Sequence, residues 1–349
     1  MWINCLKYMD KNQKIEKKNI PLVQPEDQLF DQTLRPGNFK EFVGQEKIKN
    51  NLKVMIDASK ERREPLEHIL IYGPSGLGKT TLAHIIAKER GSGIKITSGA
   101  ALEKAGDIAA IVTNLQEGDT LFIDEVHRLN KLIEEVLYPA MENFNLDIII
   151  GKGASAKTIQ IGLPRFTLIA ATTRIALLSS PFRSRFGVNY RLDFYSHKNI
   201  EEIIQRSAKI LGIDLEKEGK ELLAKASRYT PRIANKLLKR SRDLAQVQGN
   251  KKIDALTVKE TLKMLEIDEL GLEATDKKIL EAIINNFGGG PVGIKTIAAM
   301  IAEDEETIEE VFEPYLMQIG FLTRTPKGRM ATRLAFEHLK IGAERTLKV

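Results

Sequence analysis

The chain has 349 residues, 42% of them apolar and 29% charged, which is ordinary for a soluble globular protein with room for two or three domains. Its net charge of +6 permits nucleic acid as a partner without requiring it. A single cysteine, Cys5, excludes a disulfide framework and a cysteine metal site; no apolar run nears the ~20 residues of a membrane span, and the N-terminus lacks a signal-peptide pattern, so a cytoplasmic protein without membrane association is expected.

Residues 1–28 read as a flexible basic tail, with Lys7, Lys11, Lys14, Lys17 and Lys18 opposed only by Asp10 and Glu16. The first and largest domain is expected over 29–195. Leu34-Arg35-Pro36 introduces a helical run from Gln45 to Lys60. Ile69–Tyr72 reads as a short buried strand and Leu82–Lys88 as a helix. Between them, Gly73-Pro74-Ser75-Gly76-Leu77-Gly78-Lys79-Thr80-Thr81 matches the phosphate-loop pattern G-x-x-x-x-G-K-[ST] in its strand–loop–helix context. Strand signals follow at Ile94–Thr97, Thr120–Ile123 and Thr167–Ala171, alternating with helices at Ile108–Leu115 and Leu132–Met141. That alternation predicts an α/β fold, a parallel sheet with helices on both faces and ligands at the carboxyl ends of the strands. An extra hairpin, Leu146–Ile150 and Thr158–Leu163 around the turn Gly151–Lys157, is either a docking edge or simply packs on the sheet.

From 196 to 267 the signals are all-helical: Asn199–Leu211, Lys217–Ser227, Ile233–Gln248 and Thr257–Leu265. A third unit over 268–349 has helices at Asp276–Asn285, Ile294–Ile301 and Thr307–Ile319, the last interrupted by Pro314. Strand-like Phe321–Arg324 and Arg329–Thr332 then flank a turn at Thr325–Gly328. Three helices and a two-stranded hairpin make a winged helix-turn-helix, a DNA-binding shape.

The chemistry follows from residue types. Glycines such as Gly76 and Gly78 let loop amides point at a phosphate, Lys79 reaches its outer oxygens, and Thr80 can offer its hydroxyl to Mg²⁺. Asp124 and Glu125 end a buried strand, where two carboxylates are costly unless a cation or water satisfies them. The first suits Mg²⁺, directly or through water, and the second a general base. His127 reads as a satisfied structural histidine, since no second ligand stands at metal spacing. Thr172 ends the next strand, where a hydroxyl can sense the γ-phosphate or position water. Arg185 in Ser184-Arg185-Phe186 suits stabilisation of transferring phosphate, with Arg183 competing. Arg232 in Thr230-Pro231-Arg232 can couple the small domain to nucleotide state. The third helix of the last unit carries Glu306, Glu309, Glu310 and Glu313, which would repel phosphates. The wing carries Arg324, Lys327 and Arg329, so any DNA contact there is expected through phosphates and insensitive to sequence. The alternatives are an ATP-switched, sequence-specific DNA-binding protein and, more distantly, a small-molecule phosphotransferase. ATPase stimulation that depends on the DNA site would favour the first of these.

Together these stretches resemble the RuvB family, bacterial AAA+ ATPases that drive branch migration of Holliday junctions. The likeness runs from Leu34-Arg35-Pro36 to His338. It is carried by Gly73–Ala83, Leu121–Leu129, Ala171-Thr172-Thr173-Arg174, Ser179–Gly187, Thr230–Asn235 and Phe321–Thr332. It implies a large AAA+ domain, a small helical lid and a C-terminal winged-helix head. It also implies ATP hydrolysis to ADP with Mg²⁺, and a hexameric ring on duplex DNA in recombination and repair. By it, Lys79 and Thr80 are the phosphate and magnesium residues, Asp124 and Glu125 the hydrolytic acids, Thr172 the first sensor, Arg185 the arginine finger and Arg232 the second sensor. Leu34, Arg35, Gly76, Thr81, Glu142, Asn143, Phe144 and Tyr195 match nucleotide contacts, and Arg324 and Arg329 match DNA contacts. The 146–163 hairpin sits where the family docks its junction-binding partner RuvA, and a RuvC-like resolvase joins the same complex. The chain departs from the family at Ser75, where a second proline is usual, at Tyr229, where glycine is usual, and in its lysine-rich tail.

Overall fold

The computed structural model describes residues 33–150 and 157–341. The expected tail at 1–28, with Cys5, and residues 151–156 of the hairpin turn lie outside the described residues.

After helix α1 (Glu46–Arg62), strands and helices alternate: β1 (Ile69–Tyr72), α2 (Lys79–Arg90), β2 (Ile94–Ser98), α3 (Ala105–Thr113), β3 (Thr120–Asp124) and α4 (Lys131–Glu142). A hairpin of β4 (Asn145–Ile150) and β5 (Lys157–Gly162) pairs antiparallel as a separate two-stranded sheet. Then come β6 (Thr167–Thr172), the short α5 (Ser180–Arg183) and β7 (Val188–Arg191). Five strands form one parallel sheet in the order β2-β3-β6-β1-β7. The apolar runs of β1, β3 and β6 are buried almost throughout, as central strands covered on both faces must be. The edge strand β7 has no such run: Val-Asn-Tyr-Arg alternates half-buried and exposed, so its sequence carries little strand signal.

The small domain contains α6 (His197–Ile210), β8 (Asp214–Leu215), α7 (Lys217–Ala226), α8 (Pro231–Val247), β9 (Lys252–Ile253) and α9 (Ala255–Met264). It is helical as expected, but adds a parallel pairing of Asp214-Leu215 with Lys252-Ile253. Side chains start its helices where the sequence places caps: Ser196 accepts from the Asn199 N–H, and Asp254 from the Thr257 N–H. One apolar core runs from Ile169 on the sheet, Leu82 of α2 and Phe42 ahead of α1 into Ile204, Leu223 and Leu238 of the small domain. The opposite face of the sheet buries a second core around Phe166, Ile123 and Leu137.

The head has its own core. It comprises α10 (Ala274–Phe287), α11 (Ile294–Ile301), α12 (Glu305–Thr307), a π-helical turn at Ile308–Phe312, α13 (Glu313–Gln318), the wing strands β10 (Leu322–Thr325) and β11 (Gly328–Ala331), and α14 (Arg333–Leu339). Pro314 has no N–H to give the carbonyl four residues earlier. The expected third helix takes up that loss as a wider turn just ahead of the proline.

Candidate nucleotide site and its arginines

The phosphate loop lies at the carboxyl end of β1, between β6 and β7. Gly73, at φ 142°, donates its N–H to the Thr172 carbonyl at 3.2 Å, and a side chain there would run into the Leu192 carbonyl. Gly76, at φ 81°, passes so close to Arg232 that an added Cβ would stand 3.3 Å from the Arg232 Cβ. Gly78 starts α2 against the Phe42 ring, and Thr81 lies in that helix's first turn. Lys79 is 6% exposed, and its Nζ donates to the carbonyls of Gly73 at 2.8 Å and Pro74 at 3.0 Å. Burial pulls its pKa below the usual lysine value, against the raising pull of Glu125 and Asp124. A shielded ammonium held only by neutral oxygens is a good seat for a phosphate.

Thr80 donates its hydroxyl to Asp124 Oδ2 at 3.1 Å, which places two hard oxygen ligands side by side. That donor set fits Mg²⁺. Asp124 Oδ1 accepts from the Glu125 N–H at 3.0 Å. Glu125 stands at φ 45°, a left-handed conformation that a non-glycine residue holds at a cost of about 1–2 kcal/mol. Its Oε2 accepts from the Thr173 N–H at 3.1 Å and the Thr173 hydroxyl at 3.2 Å, and lies 3.2 Å from His127 Nδ1.

Thr172 is fully buried in this cluster, but its hydroxyl already faces His127 Nδ1 at 2.9 Å and accepts from the Arg174 N–H at 2.9 Å. The threonine that touches Glu125 is the next residue, Thr173. Sequence reading missed it because both threonines fit a strand end, and only the turn after β6 decides which hydroxyl faces the acid. The His127 ring is held through Nδ1, and no cluster of three or more metal-binding side chains occurs among the described residues. Its partners are nevertheless Thr172 and Glu125, so it belongs to the site.

Arg232 at the start of α8 donates to Ser75 Oγ at 3.2 Å. The departure at Ser75 thus supplies an acceptor that proline lacks. The approach from the small domain passes through Arg228 at φ 54° and Tyr229 at φ 53°. Left-handed backbone explains why glycine suits position 229; here the Tyr229 ring packs on Tyr315, centroids 6.3 Å apart. Tyr195 donates its hydroxyl to the Leu77 carbonyl at 3.1 Å, tying the chain after β7 to the loop. Leu34 is buried, its carbonyl accepting from Arg206 at 2.8 Å, and the Arg35 charge acts on His84 of α2.

Arg185 and the Glu142-Asn143-Phe144 segment lie elsewhere. The Gly187 N–H bonds the His68 carbonyl just before β1, and the His68 ring bonds the Met141 carbonyl and packs against Phe144. This is the amino end of β1, so the four-residue strand, about 13 Å long, separates Arg185 from its own phosphate loop. Arg183, the competing arginine, lies in α5 beside it.

The head reaches the site too. Arg174, directly after Thr173, pairs with Glu306 at 2.8 Å and with Glu310, and a cleft beside Ser75, Gly76 and Arg232 is closed by Glu310, Val311 and Tyr315. Arg228 forms a two-pronged pair with Asp276, at 2.9 and 3.1 Å, beneath the Tyr315 ring. On the wing, Lys327 is exposed at the turn. Arg324 and Arg329, expected as open cations, each pair with Glu309 and Glu313 at 2.7–3.2 Å. Glu306, Glu309, Glu310 and Glu313 therefore each have an arginine partner inside the molecule.

Comparison with known proteins agrees across the chain. Residues 34–192 match the Holliday junction DNA helicase RuvB P-loop domain, 195–268 the RuvB AAA lid domain and 269–340 the RuvB C-terminal winged helix domain. The Holliday junction branch migration complex subunit RuvB of Dehalococcoides mccartyi is 56% identical over 316 residues, 90% of each chain. The solved Thermotoga maritima RuvB Holliday junction branch migration motor superposes with a TM-score of 0.82 at 49% identity, covering 89% of this chain and 99% of that one. A mutant of the Thermotoga protein gives 0.83 at the same identity, over 88% and 99%. With three successive domain matches and a relative of this identity over nine-tenths of its length, the chain belongs to the RuvB family.

Proposed function

We propose that this protein is an ATP-hydrolysing motor that drives branch migration of Holliday junctions in recombination and repair. It works in the cytoplasm as a six-membered ring on duplex DNA. The observation that carries the reading is the Lys79 ammonium, buried on neutral carbonyls beside the Asp124–Glu125 pair. The loop amides and Lys79 hold the phosphates of ATP. Thr80 and Asp124 hold Mg²⁺, which when bound offsets charge on the phosphate oxygens. Glu125 takes the proton of the attacking water, and Thr173 and His127 fix its carboxylate. Thr172 orients His127, and Arg232 follows the nucleotide from the small domain. Arg185 serves the site of the neighbouring subunit, because its own loop lies at the other end of β1; hydrolysis then depends on assembly.

The β4–β5 hairpin, with Ile159 48% exposed, is the docking edge for a RuvA-like junction-binding partner, and a RuvC-like resolvase joins the complex. The head meets duplex DNA through the wing, by phosphate contact at the exposed Lys327 and at Arg324 and Arg329 once these leave Glu309 and Glu313. No helix among the described residues is long and apolar enough to cross a membrane. The test is a synthetic four-way junction with ATP and Mg²⁺, with and without the partner. ATP-dependent conversion to separated duplexes, raised by the partner, is expected. Hydrolysis with no conversion at any partner concentration would overturn the reading.

A further inference from the structure

The Arg185 guanidinium is held from three directions within its own subunit. Nη1 donates to the Pro181 carbonyl at 2.6 Å, and Nη2 faces the Glu142 carboxylate at 3.1 Å. Its flat face lies over the Tyr138 ring, with Cζ 4.1 Å from the ring centroid. Tyr138 and Glu142 stand four residues apart on α4 and so share one helix face. The Tyr138 ring is itself fixed. Its hydroxyl donates to Glu134 at 3.1 Å and meets the Ser179 hydroxyl at 3.1 Å, while Ser179 donates to Glu134 at 2.7 Å. Behind it the ring packs on Phe182, centroids 6.2 Å apart.

This arrangement has a chemical consequence. A free arginine side chain samples many rotamers and loses that freedom when it reaches a phosphate. An aromatic face holds the guanidinium plane without using any N–H donor. Glu142, by contrast, occupies donors that a phosphate oxygen would need, and at 51% side-chain exposure it can yield them.

We propose that Tyr138 is a positioning residue for Arg185. Its ring keeps the guanidinium in the plane that meets a neighbouring subunit's phosphate, and Glu142 fills the anion's place until that phosphate arrives. The proposal rests on the trans role of Arg185 given above. Leucine at 138 would fill much of the volume but offer no π face and no anchored hydroxyl.

The experiment uses full-length Tyr138→Leu, Tyr138→Phe and Arg185→Ala, assayed for ATPase activity with saturating duplex DNA. Tyr138→Leu lowers kcat about 10- to 100-fold, as a misplaced catalytic group does. Its KM for ATP stays within about 2-fold, because its own phosphate loop is intact. Tyr138→Phe, which keeps the ring, recovers the rate to within about 3-fold of the parent. Each slow variant is then mixed with Lys79→Ala under conditions of subunit exchange. Tyr138→Leu subunits regain activity there, as Arg185→Ala subunits do, because their loops now meet sound fingers. An unchanged kcat in Tyr138→Leu overturns the proposal. So does a loss that the mixture fails to restore while it restores Arg185→Ala, since Tyr138 would then serve fold or assembly. If Arg185→Ala itself hydrolyses ATP at the parent rate, the finger reading fails and the proposal goes with it. A slow Arg185→Ala beside a fast Tyr138→Leu removes only the proposal.

Discussion

Lys79 is 6% exposed and the Arg329 side chain 13%, so both cations are largely shielded from water, but their partners differ in kind. Lys79 donates to two neutral carbonyls, and the nearby carboxylates act on it only through their charge. Arg329 meets Glu309 and Glu313 directly, and Arg324 shares the same two carboxylates. The phosphate loop thus presents a positive charge that is not yet neutralised by contact. The wing presents one that has already been spent on the third helix of its own domain. A basic residue in a sequence signals a phosphate contact only as far as the fold leaves it without an acid, because a charge-assisted pair must be broken before a new one forms.

The sharpest way to break the comparison is at Lys79. Lys79→Ala and Asp124→Asn should each cut ATP hydrolysis by roughly three orders of magnitude or more, as loss of a phosphate clamp does. Circular dichroism and melting should stay close to the parent. Near-normal turnover would mean that the buried ammonium is structural. Glu125→Gln separates binding from chemistry in the same site. It should retain ATP in a filter-binding assay and hydrolyse it very slowly. Lost affinity there would reassign Glu125 as a binding residue.

Arg228 shows the opposite extreme, a cation satisfied in the interior. Its side chain is 6% exposed and that of Asp276 0%. Removing one partner leaves the other charge unpaired, so Asp276→Ala should cost about 3–5 kcal/mol by denaturant unfolding. Burial, outweighing Arg228, raises the Asp276 carboxyl to about 6. A raised folded-state value means that stability from this group is full below the ordinary aspartate range and is lost as pH rises through about 6. Taken relative to Asp276→Asn, the melting temperature of the parent should carry that slope, and two parallel profiles would contradict it.

The wing supplies a graded test. Glu309→Gln removes a carboxylate shared by Arg324 and Arg329. Affinity for unrelated duplexes should rise about 10-fold at low salt, and the salt slope should steepen by about 1. Arg324→Ala should weaken binding on all sequences, with the slope falling by no more than about 1. Sequence-selective loss would point to base reading and to the ATP-switched alternative. The smallest effect belongs to Arg174→Ala. Its ion pairs are partly exposed, with Glu306 at 67%, so about 1 kcal/mol or less of stability is at stake. A larger drop in unfolding free energy would show that the head is fastened to the ATPase domain mainly through this residue.

The site was legible in the sequence where chemistry is local. Gly73–Thr81 is a strand–loop–helix whose spacing alone puts Lys79 and Thr80 at a helix start. Asp124 ends a buried strand and Glu125 directly follows it, a place that has few other uses for two acids. Legibility failed where geometry depends on a neighbouring element. Thr172 and Thr173 are the same residue type, and only the turn after β6 sends one hydroxyl to His127 and the other to Glu125. β7 alternates over only four positions and the parallel pairing of Asp214-Leu215 with Lys252-Ile253 spans two, too few for a periodic signal to stand out.

The sequence by itself determined the fold class, the phosphate loop, the acid pair and the winged shape of the last domain. Each follows from periodicity and residue type over a few consecutive positions. Only the tertiary structure decided which charges meet. Glu309 reaches Arg329, Glu310 reaches Arg174 and Asp276 reaches Arg228 across separations that no local pattern encodes. It also placed Arg185 at the opposite end of β1 from Lys79, on Tyr138 and Glu142. The physical reason is range: backbone hydrogen bonding and hydrophobic spacing act along a few residues, whereas an ion pair depends on a distance that exists only after the chain has packed.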